Sequence, residues 1–310
     1  MDEQLITNIN ELLKVQFQTT SGSIEHIGGG FYGKVFLVEL DVPPYKLVIK
    51  VYNQKGLNTR EQSQLTTLAE HAILPMPRVY FVHHSSSDIP FDVLCMEYLE
   101  GINAGEIYEM PPENRKRIAD QIVDNLIAYH SVIHSEGFGE LNADTYTKDW
   151  NEYYKPKVDL IFEKATIMVK NKQLDDEVYA TVQYAYSNYG KIFREKVEHA
   201  RLIHGDYNMW NVMLDKDQSA AAAVIDPFNC CWADSELDLY QLNNANGKYF
   251  GLLENYRSKI PLSKNFEIKN SFYELFTEIM HFYDANVDVA HSNIKEEANQ
   301  LRIQMKKYLE

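Results

Sequence analysis

The residues best suited to do chemistry lie in one stretch, Leu202-Ile203-His204-Gly205-Asp206-Tyr207-Asn208-Met209-Trp210-Asn211-Val212-Met213-Leu214, and in the run Ala223-Val224-Ile225-Asp226-Pro227 downstream of it. Apolar pairs flank a polar centre that holds Asp206 and Asn211, and the second apolar run ends on the carboxylate of Asp226. A loop presenting Asp, then Asn, then another Asp on a short strand is what magnesium-dependent phosphoryl transfer requires. One carboxylate accepts the proton of an attacking hydroxyl. An amide oxygen and a second carboxylate hold the metal that bridges the nucleotide phosphates. The competing reading is a strand, turn and strand whose polar residues only cap the turn, so the rest of the chain must decide.

Three upstream segments would have to position such a loop. The run Gly28-Gly29-Gly30-Phe31-Tyr32-Gly33-Lys34-Val35 fits G-x-G-x-x-G-x-V through Gly28, Gly30 and Gly33, and continues as a strand. Glycines let a hairpin tip lie over phosphates and turn its backbone N–H groups towards them. A dinucleotide fold needs a helix after such glycines, and here a strand follows. A P-loop needs Ser or Thr where Val35 stands. Next, Lys46-Leu47-Val48-Ile49-Lys50-Val51-Tyr52 reads as a partner strand after the Pro43-Pro44 turn. Lys50, inside an apolar run, resembles the strand lysine that grips the α/β-phosphates in the protein-kinase fold. Such a lysine needs a carboxylate partner. Residues 59–72 read as a helix, with Thr59 and Gln62 as its capping box. Glu61, Leu65, Leu68 and Ala72 share one face there, so Glu61 rather than Glu70 is the expected partner.

Around these lie the supporting elements. Leu5, Ile6, Ile9, Leu12 and Leu13 predict an amphipathic first helix. Residues 79–82 and 91–96 predict two more strands, joined by a polar loop at His83-His84 where metal binding is not expected. The second strand leads into a hinge at 97–101, whose backbone at Glu97 and Tyr98 would meet the base of a nucleotide. Beyond it, Ile118, Ile122, Leu126 and Tyr129 recur at helical spacing, and Gly137-Phe138-Gly139 is expected to close that helix. The tyrosines between 150 and 200 read as interhelix packing. The expected organisation is an N-lobe at 1–96, a hinge at 97–101 and a helical C-lobe at 102–310.

The formal net charge of −15 argues against a nucleic-acid or anionic-membrane surface; it is compatible with a cationic substrate, although a solvated acidic surface is the more common explanation. Cys95 and the adjacent Cys230-Cys231 give neither a disulfide framework nor a zinc site. That points to a reducing compartment, and with no apolar run of membrane-spanning length the expected location is cytoplasmic.

With the glycines, Lys50, Glu61, the hinge, Asp206/Asn211 and Asp226 in this order, the chain resembles the aminoglycoside phosphotransferase and fructosamine kinase superfamily. The most specific parts are His204-Gly205-Asp206 with Asn211, Ile225-Asp226, and the segment 233–239 with Asp238. The resemblance implies an α+β, two-lobed protein-kinase-like fold, with an antiparallel N-lobe sheet, one main helix and a larger helical C-lobe. It implies an enzyme that phosphorylates a hydroxyl of a small molecule, using ATP or GTP and Mg²⁺. Asp206 would be the catalytic base, and Asn211 and Asp226 the magnesium ligands. Lys50 and Glu61 would position phosphate, and Asp238 would support the loop. Gly205 replaces the arginine of the protein-kinase H-R-D signature and no A-P-E element follows Asp226, which favours a small acceptor over a protein. Pro227 is similar to fructosamine and methylthioribose kinases more than to typical aminoglycoside enzymes. Glu236, Glu274 and Glu278 are the candidate contacts for a cationic acceptor. A non-catalytic nucleotide-binding module of the same fold is the alternative, and a protein kinase a weaker one.

Overall fold

A computed structural model describes residues 3–30, 32–285 and 293–309; Phe31, within the glycine run, lies outside the described residues. Helix α1 (Glu3–Phe17) precedes strands β1 (Ser21–Gly30), β2 (Gly33–Leu40) and β3 (Lys46–Tyr52). Helix α2 (Leu57–Ala69) follows, then β4 (Val79–His83) and β5 (Asp92–Glu97). The five strands form one antiparallel sheet in the order β1-β2-β3-β5-β4. Side chains alternate across a strand. In β3, Leu47, Ile49 and Val51 therefore face α1, where they join Leu5, Ile9, Leu12 and Leu13 in one core. The same alternation turns Val48, Lys50 and Tyr52 to the other face. There the buried stripe of α2, with Glu61, Leu65 and Leu68, meets them.

The start of α2 differs from expectation. Gly56, not Thr59, stands at its N-cap in the left-handed region at φ 87°. The Gly56 N–H donates to the Asp92 carboxylate at 2.6 Å. A partner 36 residues away thus starts the helix before the local Thr59/Gln62 signal.

The chain continues with β6 (Ile102–Asn103) and α3 (Pro112–Ser131), then β7 (Gly139–Glu140), α4 (Trp150–Lys170), α5 (Asp176–Ser187), α6 (Tyr189–Ile192) and β8 (Arg201–Leu202). Strands β9 (Val212–Leu214), β10 (Ala221–Val224) and β11 (Cys231–Ala233) come next, and helices α7 (Gly247–Phe250), α8 (Leu252–Lys259), α9 (Phe266–Ala285) and α10 (Ile294–Leu309) complete it. Helix α3 stops at Ser131, and Gly137-Phe138-Gly139 instead forms a turn into β7. At Gly137, φ is +116° and a Cβ would lie 2.1 Å from the Thr147 carbonyl oxygen, so that turn rather than the helix end demands glycine. Most of the tyrosines between 150 and 200 are packing residues: Tyr154 stacks on Trp150 and Tyr186 on Phe162. Tyr184 is exposed. Among the described residues no helix is long and apolar enough to cross a membrane.

Candidate active site

The candidate loop runs from β8 to β9 and is fixed from behind. Asp238, fully buried, accepts from the backbone N–H of His204 at 2.8 Å and of Gly205 at 2.7 Å. His130 of α3 lies 3.3 Å from the same carboxylate and 2.8 Å from the Tyr256 hydroxyl. Burial drives the His204 imidazole down to about 4, so its ring is neutral and packs between Tyr129 and Tyr207. Asn125 of α3 bonds Tyr207 at 3.0 Å and also accepts from the N–H groups of Ile73 and Leu74. One side chain thereby ties the loop to the segment after α2.

Gly205 has a structural cause. Its φ is +83°, and a Cβ there would lie 1.9 Å from the Phe228 carbonyl oxygen. The backbone after Asp226 passes where an arginine would have to start. Gly205→Ala is expected to lower the unfolding free energy by about 2–4 kcal/mol, from backbone strain and steric overlap together. Chemical denaturation of the variant checks this.

Asp206 sits at the centre. Asn208 Nδ2 donates to its Oδ1 at 2.7 Å, Gln241 Nε2 to the same oxygen at 3.1 Å, and Asn211 Nδ2 to its Oδ2 at 2.9 Å. Burial pushes the Asp206 carboxyl up to about 6; the amide hydrogen bonds from Asn211 and Asn208 oppose that rise, and the Asp226 and Asp238 charges add to it. Asn211 Nδ2 also donates to the Asp206 carbonyl at 2.8 Å, which turns its amide oxygen to the far side. Asn208 and Gln241 were not among the expected residues. Asn208 lies inside the motif and caps the short helical turn 209–211. Gln241 reaches Asp206 across 35 residues, a separation no local pattern marks.

Lys50 links the lobes. Its Nζ donates to Glu61 Oε1 at 2.6 Å and to Asp226 Oδ1 at 2.5 Å. Tyr52, on the same face of β3, donates its hydroxyl to the other Glu61 oxygen at 2.5 Å. Burial opposes the Lys50 charge, but the Asp226 and Glu61 carboxylates outweigh it and hold its pKa above the usual lysine range. Burial raises Glu61, against the pull of Lys50. Asp226 is half exposed and adopts φ +56°. Desolvation works against its charge, but Lys50 prevails and holds it below the usual carboxylate range.

The glycines divide into two kinds. At Gly33 a Cβ would lie 2.1 Å from the Val51 carbonyl oxygen, so β3 requires it. At Gly28 and Gly30 a Cβ would meet nothing within 4 Å, so no packing among the described residues explains those two. Beyond Gly30, Tyr32 packs on Phe228 with ring centroids 5.0 Å apart, and Arg60 of α2 bonds Asn229 at 2.5 Å. Side chains after the glycine turn and on α2 thus both touch side chains of the segment that follows Asp226. At the expected hinge position the Glu97 N–H donates to the Arg78 carbonyl at 2.8 Å, so that group is committed within the protein. Glu236 is also committed. It is buried, pairs with Lys269 at 2.9 Å and accepts from Ser263 N and Oγ at 2.7 Å each. The expectation that it contacts an acceptor is therefore corrected.

The fold is shared with solved structures. An aminoglycoside 2'-phosphotransferase-IIIa in complex with GDP matches at TM-score 0.68 and 16% identity, over 99% of each chain. A putative fructosamine-3-kinase from Haemophilus somnus matches at TM-score 0.70 and 16% identity, over 96% of each. A thermostable mutant of aminoglycoside phosphotransferase APH(4)-Ia, with ADP and hygromycin B, matches at 0.70 and 17% over 96% of this chain and 98% of that one. The two-lobed protein-kinase-like fold expected from the motifs is the fold of this protein. In sequence, the uncharacterised protein YcbJ of Escherichia coli K12 is 22% identical over 263 residues, covering 81% of this chain and 85% of its own. The model of the phosphotransferase enzyme family APH matches residues 23–249, from the glycine hairpin through the Asp206 loop to the Asp238 anchor, and by that match the chain belongs to this family.

Proposed function

We propose that the protein transfers the terminal phosphate of a nucleotide, ATP or GTP, to a hydroxyl of a small molecule, with Mg²⁺ as cofactor. The observation that carries this reading is the meeting of Lys50, paired with Glu61, and Asp226, one strand away from the Asn211–Asp206 pair. The possible metal donors are oxygens, an amide at Asn211 and a carboxylate at Asp226, which suits magnesium over softer ions. Among the described residues no three His, Cys, Asp or Glu side chains form a metal cage. Magnesium commonly takes only one or two carboxylates and fills its shell with phosphate and water. Bound there, it would neutralise charge developing on the phosphates.

The chain's own groups account for the rest. Lys50, kept cationic and fixed by Glu61, binds phosphate oxygens. Gly28 and Gly30 leave bare backbone above them. Asp206, its two oxygens aimed by Asn208, Gln241 and Asn211, orients the acceptor hydroxyl and takes its proton. The hinge contributes backbone near Tyr98, since the Glu97 N–H is engaged elsewhere.

A cationic acceptor is supported by three carboxyls on α9 and α10. Burial raises Glu274 to about 7, Glu278 above its usual range, and Glu297 to about 8, where the Glu278 and Glu274 charges add to the rise. A buried acidic group of this kind gains most from a partner carrying positive charge. Glu278 of this group lies near enough to Tyr240 for its charge to act on that hydroxyl, which accepts from the Gln241 amide that also bonds Asp206. The solved neighbours with hygromycin B and of fructosamine-kinase type support an amine-bearing sugar. ADP release from Mg·ATP should therefore depend on amine-bearing polyols and fall when Glu274 and Glu278 are both changed to Gln. Equal turnover with amine-free sugars would count against the cationic acceptor.

The Asp206 carboxyl sets a pH limit. A base with its pKa near 6 is protonated, and inactive, below that pH. The acid limb of kcat/KM is expected at about pH 6, the limb of the free enzyme's base. A pH–rate profile flat to pH 4 would remove Asp206 from that role.

A further inference from the structure

Trp210 stands one residue before Asn211, yet the reading above gives it no task. Trp150 and Trp232 are 2% and 9% exposed, whereas Trp210 is 49% exposed. An indole left half in water forgoes much of the stabilisation its burial would give. Its position is nevertheless fixed. The Trp210 N–H donates to Asn208 Oδ1 at 2.9 Å, and Asn103 Nδ2 donates to the Trp210 carbonyl at 2.6 Å. The ring itself lies on Gly105: a Cβ at that glycine would come within 2.5 Å of Trp210 Cε3 and 2.6 Å of Cδ2. Gly105 is buried under the indole and has no side chain to push it away.

The topology says what the free face adjoins. The hinge segment runs directly into β6, and Asn103 of β6 pairs with Met213 of β9, two residues past Asn211. A nucleotide seated as proposed reaches from the hinge backbone at one end to Lys50, Asn211 and Asp226 at the other. Trp210 is hydrogen-bonded to the segment that follows the hinge and is the chain neighbour of Asn211. It therefore flanks the middle of that path, where the sugar and the near edge of the base must lie.

We propose that the exposed face of Trp210, seated on Gly105, is a wall of the nucleotide site that packs against the ribose and base. The inference rests on the phosphotransferase reading and adds a specificity-determining residue to it. Trp210 is also the one strongly exposed tryptophan of three, which gives a direct optical readout.

The test is titration of the full chain with Mg·ADP and Mg·GDP, read by tryptophan emission and by calorimetry. Nucleotide should change the emission of the wild type, and Trp210→Phe should abolish that change while keeping Kd within about threefold, since an aromatic face remains. Trp210→Ala should weaken binding about tenfold, and so should Gly105→Ala, whose methyl displaces the ring. Unchanged thermal stability in Trp210→Ala would set the loss apart from a folding defect. Calorimetric binding with no change in emission, or Trp210→Ala binding as tightly as wild type, would overturn the wall and leave the phosphotransferase reading intact. Failure of the wild type to bind either nucleotide would overturn both.

Discussion

Asp206→Asn is expected to lower acceptor-dependent kcat by about 10³-fold, the contribution of a positioned general base, while nucleotide affinity changes only severalfold. Both oxygens of Asp206 accept from amide nitrogens: Asn208 and Gln241 at one, Asn211 at the other. An asparagine there offers one acceptor and one NH₂ group. Whichever way it turns, an N–H faces an N–H at one of those contacts, so the substitution removes the base and breaks the contacts at one end of the side chain. Gln241→Met, similar in length and without a donor, should show the smaller part of this effect, with kcat reduced and nucleotide affinity unchanged. Steady-state kinetics beside calorimetric nucleotide binding separate the two. An Asp206→Asn enzyme with wild-type kcat would end the assignment of the base.

Lys50→Met is expected to cost both stability and activity. Lys50 and Glu61 are buried as a pair, with side chains only 12% and 11% exposed. Removing one member of a buried pair typically costs about 3–5 kcal/mol, because the other charge is left without compensation. Asp226 is 52% exposed, and solvent screens its share of the loss. The penalty should depend on pH, with a definite sign. Burial already raises Glu61 above the ordinary carboxylate value, and loss of Lys50 raises it further. A folded-state pKa above the unfolded one means the native state binds more protons, so that stability is present at low pH and lost as pH rises through the folded pKa. The gap in unfolding free energy between wild type and Lys50→Met should therefore widen on going from a mildly acidic to a neutral pH. Denaturation at those two pH values measures it. A constant gap would mean that Glu61 does not depend on Lys50 for its charge. Activity should fall by at least about 10²-fold, because phosphate loses its fixed cation.

The sequence disclosed what local patterns can carry. A lysine inside the apolar run of β3 marked Lys50, the period of 3.6 in α2 marked Glu61 as its partner, and the ion pair joins the two. The order of glycine hairpin, strand lysine, Asp206 loop and Asp226 was enough to suggest the family. What stayed hidden depends on contacts between distant segments. Asp92 caps α2 from 36 residues away and moves its start ahead of Thr59. Gln241 is recognisable only once the 310 segment Ser235–Asn243 is folded against the loop. Glu236 looked available because sequence shows its charge but not Lys269 and Ser263 beside it. Trp210 has room for its indole only because Gly105, more than a hundred positions earlier, lies beneath it. In each case the missing information was which distant residue fills, or leaves empty, the adjoining space.

The most direct test of the central claim is phosphate transfer itself. Purified protein with Mg·ATP or Mg·GTP would be incubated with aminoglycosides, fructosamines, methylthioribose, choline and homoserine, and each acceptor examined by mass spectrometry for an added phosphate. The account predicts a phosphorylated hydroxyl on at least one amine-bearing acceptor, dependent on magnesium and absent with Asp206→Asn. Nucleotide binding without transfer to any acceptor, or transfer that survives Asp206→Asn, would contradict it.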